Sequence, residues 1–222
     1  MDVSKANLLI ASLKENPEHF FDQGKSYDLL QEYFRGFPII SLAKLLGDKN
    51  KTIRKSAIWI ASELDEPPIS LVDQIVPLIM EDDRYIKYTT LETIMRISDV
   101  GFGGIFHHLI NALECNDAIV RKVAMYLISN SDDIQLEEAL NYFSKSNNCA
   151  HLNGLKFLID ADNMSATNID QMLNDENELL PRYGAIFLRR NMKFINRQKI
   201  KKIIDQHPDF SIRGFLEDFL DE

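Results

Sequence analysis

The feature that most constrains this chain is a short pattern of residues that returns about every thirty positions. Its clearest copy follows the run Leu45-Leu46-Gly47-Asp48 and reads Ile53-Arg54-Lys55-Ser56-Ala57-Ile58-Trp59-Ile60-Ala61. A polar turn leads to a β-branched residue, then a basic one, then a small one three further on. The order returns as Ile86-Lys87 with Thr90, Val120-Arg121 with Ala124, and Ala150-His151 with Gly154. Pro181-Arg182 with Ala185 and Ile212-Arg213 with Leu216 complete the series. Register positions 53, 86, 120, 150, 181 and 212 are separated by 33, 34, 30, 31 and 31 residues. Such a step holds two helices of roughly 10–15 residues and two short turns.

The apolar spacing supports helices. Ile53, Ala57, Ile60, Ala61 and Leu64 fall on one face at helical period. The small residue at Ala57 allows close approach of a neighbouring helix, and Asp48 is placed to cap the next helix or pair with a basic residue. With nine Gly and seven Pro, the chain has few turn points, which favours long helices over many strands.

Leu-Leu-x-Asp followed by Ile/Val-Arg/Lys-x-x-Ala resembles the HEAT repeat and its shorter bacterial relatives. Three units match well, Asp48–Leu64, Glu81–Ile97 and Cys115–Ser131. The later three depart from the pattern: Pro181 takes the β-branched position, His151 the basic one and Leu216 the small one. The resemblance covers residues 37–222 and implies an all-α fold, a right-handed α-solenoid of about six helical hairpins. Residues 1–36 fit the register poorly and read as an N-terminal helical cap, with helices over Ser4–Lys14 and Tyr27–Arg35 broken at Asn16-Pro17 and Gly24. No Pro/Ser-rich linker divides the chain, so one continuous domain over 1–222 is expected. The family's common property is binding partners, which is a statement about scaffold and not about chemistry.

The net charge of −9 repels nucleic acid and anionic membranes and attracts basic partners. Cys115 and Cys149 show no Cys-x-x-Cys spacing and suit a reducing cytosol. The run Leu8-Leu9-Ile10-Ala11 is too short for a signal peptide, and no window reaches the ~18 apolar residues of a membrane span. A cytoplasmic protein is expected.

Catalytic constellations are scarce, and neither a cofactor nor a metal is expected. The histidines are His19, His107, His108, His151 and His207. Adjacent residues on a helix point to different sides, so His107-His108 reads as a poor chelate. Gly101-Phe102-Gly103-Gly104 reads as an interhelix turn, and the carboxylates Glu81-Asp82-Asp83, Asp132-Asp133 and Asp160/Asp162 read as capping residues. One helical-repeat enzyme class holds iron with His-Glu pairs, and this chain has no His-Glu dipeptide. Another removes alkylated bases from DNA through a basic concave face with tryptophans; here the charge is opposite and Trp59 is the one tryptophan. That class remains the enzymatic alternative.

In a solenoid the second helix of each unit lines the inner wall. Turning ~100° per residue from Ile53 points Lys55, Trp59 and Ser62 away from the core. The same register gives Tyr88, Glu92 and Met95, with Tyr85 nearby, then Lys122, Tyr126 and Ser129. Leu152, Lys156 and Ile159 follow, and then Tyr183, Phe187 and Arg190. Aromatic residues recur where polar ones are expected, and Trp, Tyr and Arg are the types that dominate interfaces. The candidate partner-binding residues are therefore Lys55, Trp59, Tyr85, Tyr88, Glu92, Lys122, Tyr126, Tyr183, Phe187 and Arg190, against the alternative that their rings pack on a neighbouring helix. Arg182, Arg189, Arg190, Lys193, Arg197, Lys199, Lys201 and Lys202 form a basic strip without an acid, read as a solvated face or an anion patch.

The expected function is a non-catalytic protein-binding module for a partner that is at least partly basic. In size, acidity and lack of a catalytic set the chain is similar to small bacterial immunity proteins of contact-dependent toxin systems, which implies a nuclease-type toxin domain as partner. A scaffold or regulatory subunit stays open, as does a nucleic-acid role resting on the 182–202 strip, although the acidity argues against nucleic acid.

Overall fold

A computed structural model of the chain describes residues 3–66, 68–99, 101, 103–146, 148–191 and 197–221. The described residues are helical with connecting turns and contain no strand, so the fold is of the expected all-α, α-solenoid class. Two compact units divide the chain, Met1–Val100 and Gly101–Glu222, where the sequence suggests one continuous domain. Gly101, at the division, adopts the left-handed conformation (φ 86°) just after a long helix, and glycine does this without steric cost.

The first unit holds α1 (Val3–Glu15), α2 (Pro17–Asp22), α3 (Lys25–Phe34), α4 (Ile40–Leu46), α5 (Lys51–Glu63), α6 (Val72–Ile75) and α7 (Arg84–Asp99). The N-terminal helices expected from the sequence are α1 and α3. Between them Pro17 starts a helix, since proline is tolerated in a first turn and Asn16 accepts from the His19 amide. Helix α3 packs on α5 and α5 on α7, so the second helices stack in chain order. Ile53, Ala57, Ile60, Ala61 and Leu64 are all buried, as their spacing requires.

The second unit holds α8 (His107–Asn111), α9 (Ala118–Ser129), α10 (Asp133–Ser144), α11 (Cys149–Ile159), α12 (Ala166–Leu173), α13 (Leu180–Arg190), α14 (Arg197–Gln206) and α15 (Phe210–Asp221). Here α13 is central and packs against α9, α11, α12 and α15, while α15 also packs on α9. Every residue from Pro181 to Leu188 is buried in consequence.

All six register positions land on the second or third residue of a second helix: α5, α7, α9, α11, α13 and α15. The polar turn before them is the helix cap. Asn50, Asp83, Asp117, Asn148 and Asp209 accept from first-turn amides of α5, α7, α9, α11 and α15. Asn50, rather than Asp48, caps α5; the Asp48 carboxylate accepts the Asn50 amide instead.

The basic position that follows is a staple. Arg54 donates from Nη1 to the carbonyls of Asp48 (2.7 Å) and Lys49 (2.9 Å), and from Nη2 to Glu81 (2.7 Å). Arg121 repeats the geometry on Cys115 (2.8 Å) and Asn116 (3.1 Å), and its Nη2 meets Asp209 at 3.2 Å. Arg182 donates to the Leu113 carbonyl (2.6 Å) and to Asp209 (2.9 Å). Where the pattern breaks at His151, the imidazole still lies 3.1 Å from a turn carboxylate, Glu114, and its Nδ1 is 2.7 Å from the Tyr183 hydroxyl.

The small position has an equally local cause. A Cβ on Gly154 would stand 2.2–2.5 Å from the ring of the fully buried Tyr183. We expect Gly154→Ala to cost roughly 1–3 kcal/mol through this clash, while Gly104→Ala, which meets no atom within 4 Å, serves as the near-neutral control in urea melts. Equal stability of the two would remove the packing account. Asp209→Ala strips the anion from two largely buried guanidinium groups and should cost on the order of 3–5 kcal/mol. Asp133→Ala breaks the Arg190 pair at a carboxylate that is 83% exposed and should cost under about 1 kcal/mol.

Candidate functional site

In the first unit α5 and α7 present two parallel rows of partly exposed side chains. Lys55, Trp59 and Glu63 are one helical turn apart on α5, and Tyr85, Tyr88 and Glu92 follow at three- and four-residue spacing on α7. The Lys55 ammonium stands over two rings, 4.5 Å from the centroid of Phe21 and 4.7 Å from that of Tyr85. Those rings meet edge to face at 6.3 Å, so α2, α5 and α7 share one aromatic clamp. Trp59 is half-buried, Tyr88 is 39% exposed, and the Tyr88 hydroxyl donates to Glu92 at 2.6 Å.

The electrostatics of this face favour a cation. Burial raises the Glu92 carboxyl above its ordinary range; the Tyr88 hydrogen bond opposes the shift, and the nearby Glu63 carboxylate adds to it. Burial also raises the Tyr85 phenol, with Glu63 and Glu92 adding to the effect. The half-buried Glu92 carboxylate, facing the exposed Glu63, is under-compensated. An incoming ammonium or guanidinium would relieve it. The ends of α5 are held rigid beneath the rows: Arg96 donates to the carbonyls of Ser62 and Leu64 just past Trp59.

In the second unit the candidates fare differently. Tyr183 and Phe187 are buried, with 0% and 3% exposure, and Met95 of the first unit is also inside at 8%. The projection from Ile53 assumes a helix with one wet side, and α13 has none because four helices surround it. Arg190 donates to the Ser131 carbonyl (2.6 Å) and meets Asp133 (3.2 Å), closing the end of α9. Lys122 pairs with Asp218 at 2.7 Å. Tyr126 is 45% exposed, but its ring carries the Arg189 guanidinium at 4.6 Å, which Phe215 and Phe219 also flank. The structure therefore groups Lys55, Trp59, Tyr85, Tyr88 and Glu92 on one face and gives Tyr183, Phe187 and Arg190 internal duties.

Sequence reasoning passed over Phe21 and Glu63. Phe20-Phe21 on a short helix cannot turn both rings inward, and Phe20 is the buried one; that doublet was the available signal. The basic strip divides: Arg182 and Arg190 hold carbonyls and acids and Arg189 lies among rings, while Arg197, Lys201 and Lys202 on α14 are exposed. Lys193 lies outside the described residues, as does the side chain of Lys199. The carboxylates act mainly as expected. Asp83 caps α7, Asp132 forms a capping box with Gln135, and Glu81 receives Arg54. Among the described residues no group of three or more His, Cys, Asp or Glu is arranged to hold a metal ion. No described helix is long and apolar enough to cross a membrane.

His107 and His108 do not diverge as expected. Their rings lie 4.0 Å apart, and His107 stacks on Tyr142 at 3.7 Å and 12°. The His107 Nδ1 reaches the Gly104 carbonyl at 3.0 Å, which draws the ring back over the preceding turn.

No protein-family model matches the chain, and no curated protein matches its sequence. Among solved structures it is similar to the designed armadillo repeat protein YIII(Dq)4CqI, at 14% identity and a TM-score of 0.45, covering 87% of this chain and 85% of that one.

The histidine stack makes a pH prediction. Burial, with His107 adding to it, lowers His108 from 6.5 to about 4. The unfolded chain then binds more protons, so the contribution is intact above about pH 6.5 and is lost as pH falls toward about 4. Melting temperature should drop between about pH 7 and about pH 5, and less so in His108→Gln. An identical drop in that variant would remove His108 as the cause.

Proposed function

We propose that this chain is a non-catalytic binding module that captures a basic protein on the face formed by α5 and α7. One observation carries the reading: half-exposed aromatic side chains share two helix rows with a half-buried carboxylate, Glu92, whose pKa burial raises and the exposed Glu63 raises further. Aromatic anchors supply contact area at low entropic cost, and the acids reward a desolvated cation. The net charge of −9 supports it by steering a basic partner into encounter, while the rings slow its release. A nuclease-type toxin domain, basic because it must hold phosphates, is the partner that suits such a face best, which makes a toxin-neutralising immunity role the sharpest form of the reading.

The non-catalytic part rests on how the polar groups are used. His151 sits at 0% exposure between Glu114 and Tyr183, Asp209 is committed to Arg121, Arg182 and Ser211, and the turn carboxylates cap helices. These duties account for the groups without a reacting centre.

The test is affinity capture from native cells by the wild-type chain and by a Trp59→Ala/Glu92→Gln variant, followed by binding titration of the captured protein. A basic protein held by the wild type and weakened in the variant by about 2 kcal/mol or more, roughly thirty-fold, is expected of a hot spot. Equal retention by both, or capture of an acidic partner, would refute the assignment. Unchanged far-ultraviolet circular dichroism and urea midpoint establish that the variant is folded.

A further inference from the structure

A cavity of about 980 Å³ in the second unit opens where α12, α13, α14 and the start of α15 meet, and no duty assigned above uses it. Its apolar lining includes Leu173, Pro181 and Phe210. Phe210 is 68% exposed, unusual for a phenylalanine at the first residue of a helix, and one side of its ring already carries the Arg213 guanidinium at 5.2 Å. The lip toward the α12–α13 turn carries Asp175, Glu176 and Glu178, all exposed.

The back wall decides the sign of the ligand. It contains Arg121 and Arg182, which would suggest an anion if they were available. Arg121 spends Nη1 on the Cys115 and Asn116 carbonyls, Nη2 on Asp209 and Nε on Ser211. Arg182 spends Nε on Asp209 and Nη1 on the Leu113 carbonyl. Asp209 is held well below the usual carboxylate range: its hydrogen bonds with Ser211 and with Arg182 and Arg121 together outweigh the desolvation that would raise it. Asp209 offsets one of these two guanidinium charges, and the three lip carboxylates outweigh the remaining one together with Lys202. A half-apolar cleft with a negative lip matches a basic side chain, whose aliphatic stem packs on the apolar lining while its head stays at the wet rim.

We propose that this cleft binds an extended peptide segment bearing arginine or lysine. The charged heads lie at Glu176 and Glu178, and an apolar neighbour covers the exposed Phe210. The inference deepens the reading of a basic protein partner, resting on it for the partner's charge, and gives that partner's flexible basic segment a place of its own.

The test is fluorescence anisotropy with a labelled octapeptide of glycine and serine carrying two arginines on either side of a leucine, and with its glutamate counterpart, at about 0.15 M salt. The arginine peptide should bind and the glutamate peptide should not. Glu176→Gln/Glu178→Gln and, separately, Phe210→Ala should each weaken binding at least ten-fold without changing the melting temperature, because all three side chains are exposed. Trp59→Ala/Glu92→Gln should leave peptide binding unchanged. No binding of the arginine peptide, equal binding of the glutamate peptide, or retention in the cleft variants would overturn the proposal. Loss only in the Trp59→Ala/Glu92→Gln variant would seat the peptide on α5 and α7, ending the cleft assignment while leaving the proposed function standing.

Discussion

A guanidinium at the start of a helix is, taken alone, in the wrong place: the positive end of the helix dipole repels it. Arg54, Arg121 and Arg182 occupy that place because they face backwards. Each turn that precedes a second helix leaves carbonyls without helical partners, and these arginines donate into them before reaching an acid. Arg54 and Arg121 choose carbonyls at the same sequence offsets. The repulsion is offset by charge-assisted hydrogen bonds and by Glu81 or Asp209. At these three positions the basic residue is a fixture of the turn and is not surface charge available to a ligand.

The second unit shows how this device tolerates departures. His151 takes the arginine's place by hydrogen-bonding a buried phenol through Nδ1, with its Nε2 3.1 Å from the turn carboxylate Glu114. The phenol in turn needs the space that Gly154 leaves, so two apparent irregularities of the repeat belong to one packing solution. That solution places Tyr183 inside and, with the Phe187 ring tilted against Phe157 at 4.8 Å, commits α13 to the interior. Once α13 is central, its own arginines serve structure, which leaves the exposed part of the basic strip to Arg197, Lys201 and Lys202 on α14.

The two candidate surfaces share a logic. On α5 and α7, and again at the cleft beside α13, exposed rings adjoin carboxylates that outnumber the free cations near them: Lys55 is held by Phe21 and Tyr85, Arg121 and Arg182 by Asp209, and Lys202 alone faces the lip. An acidic chain can hold many arginines and still offer only negative potential to a partner when those arginines face inward.

The sequence by itself determined the periodic helices, the position of each second helix to within a residue, and the buried stripe of α5, because helical period and turn chemistry are local. It also made Lys55, Trp59, Tyr85, Tyr88 and Glu92 legible, since α5 and α7 stack in chain order and keep one wet side, as the projection assumes. Tertiary structure alone decided that Tyr183 and Phe187 lie inside, that Phe21 completes a clamp on Lys55, and that His107 stacks on Tyr142. Each of these depends on which distant helix arrives alongside, and residues some thirty or more positions apart leave no periodic mark on one another. The division near Gly101 and the cleft beside α13 are of the same kind, products of packing among whole helices and not of any one helix's pattern.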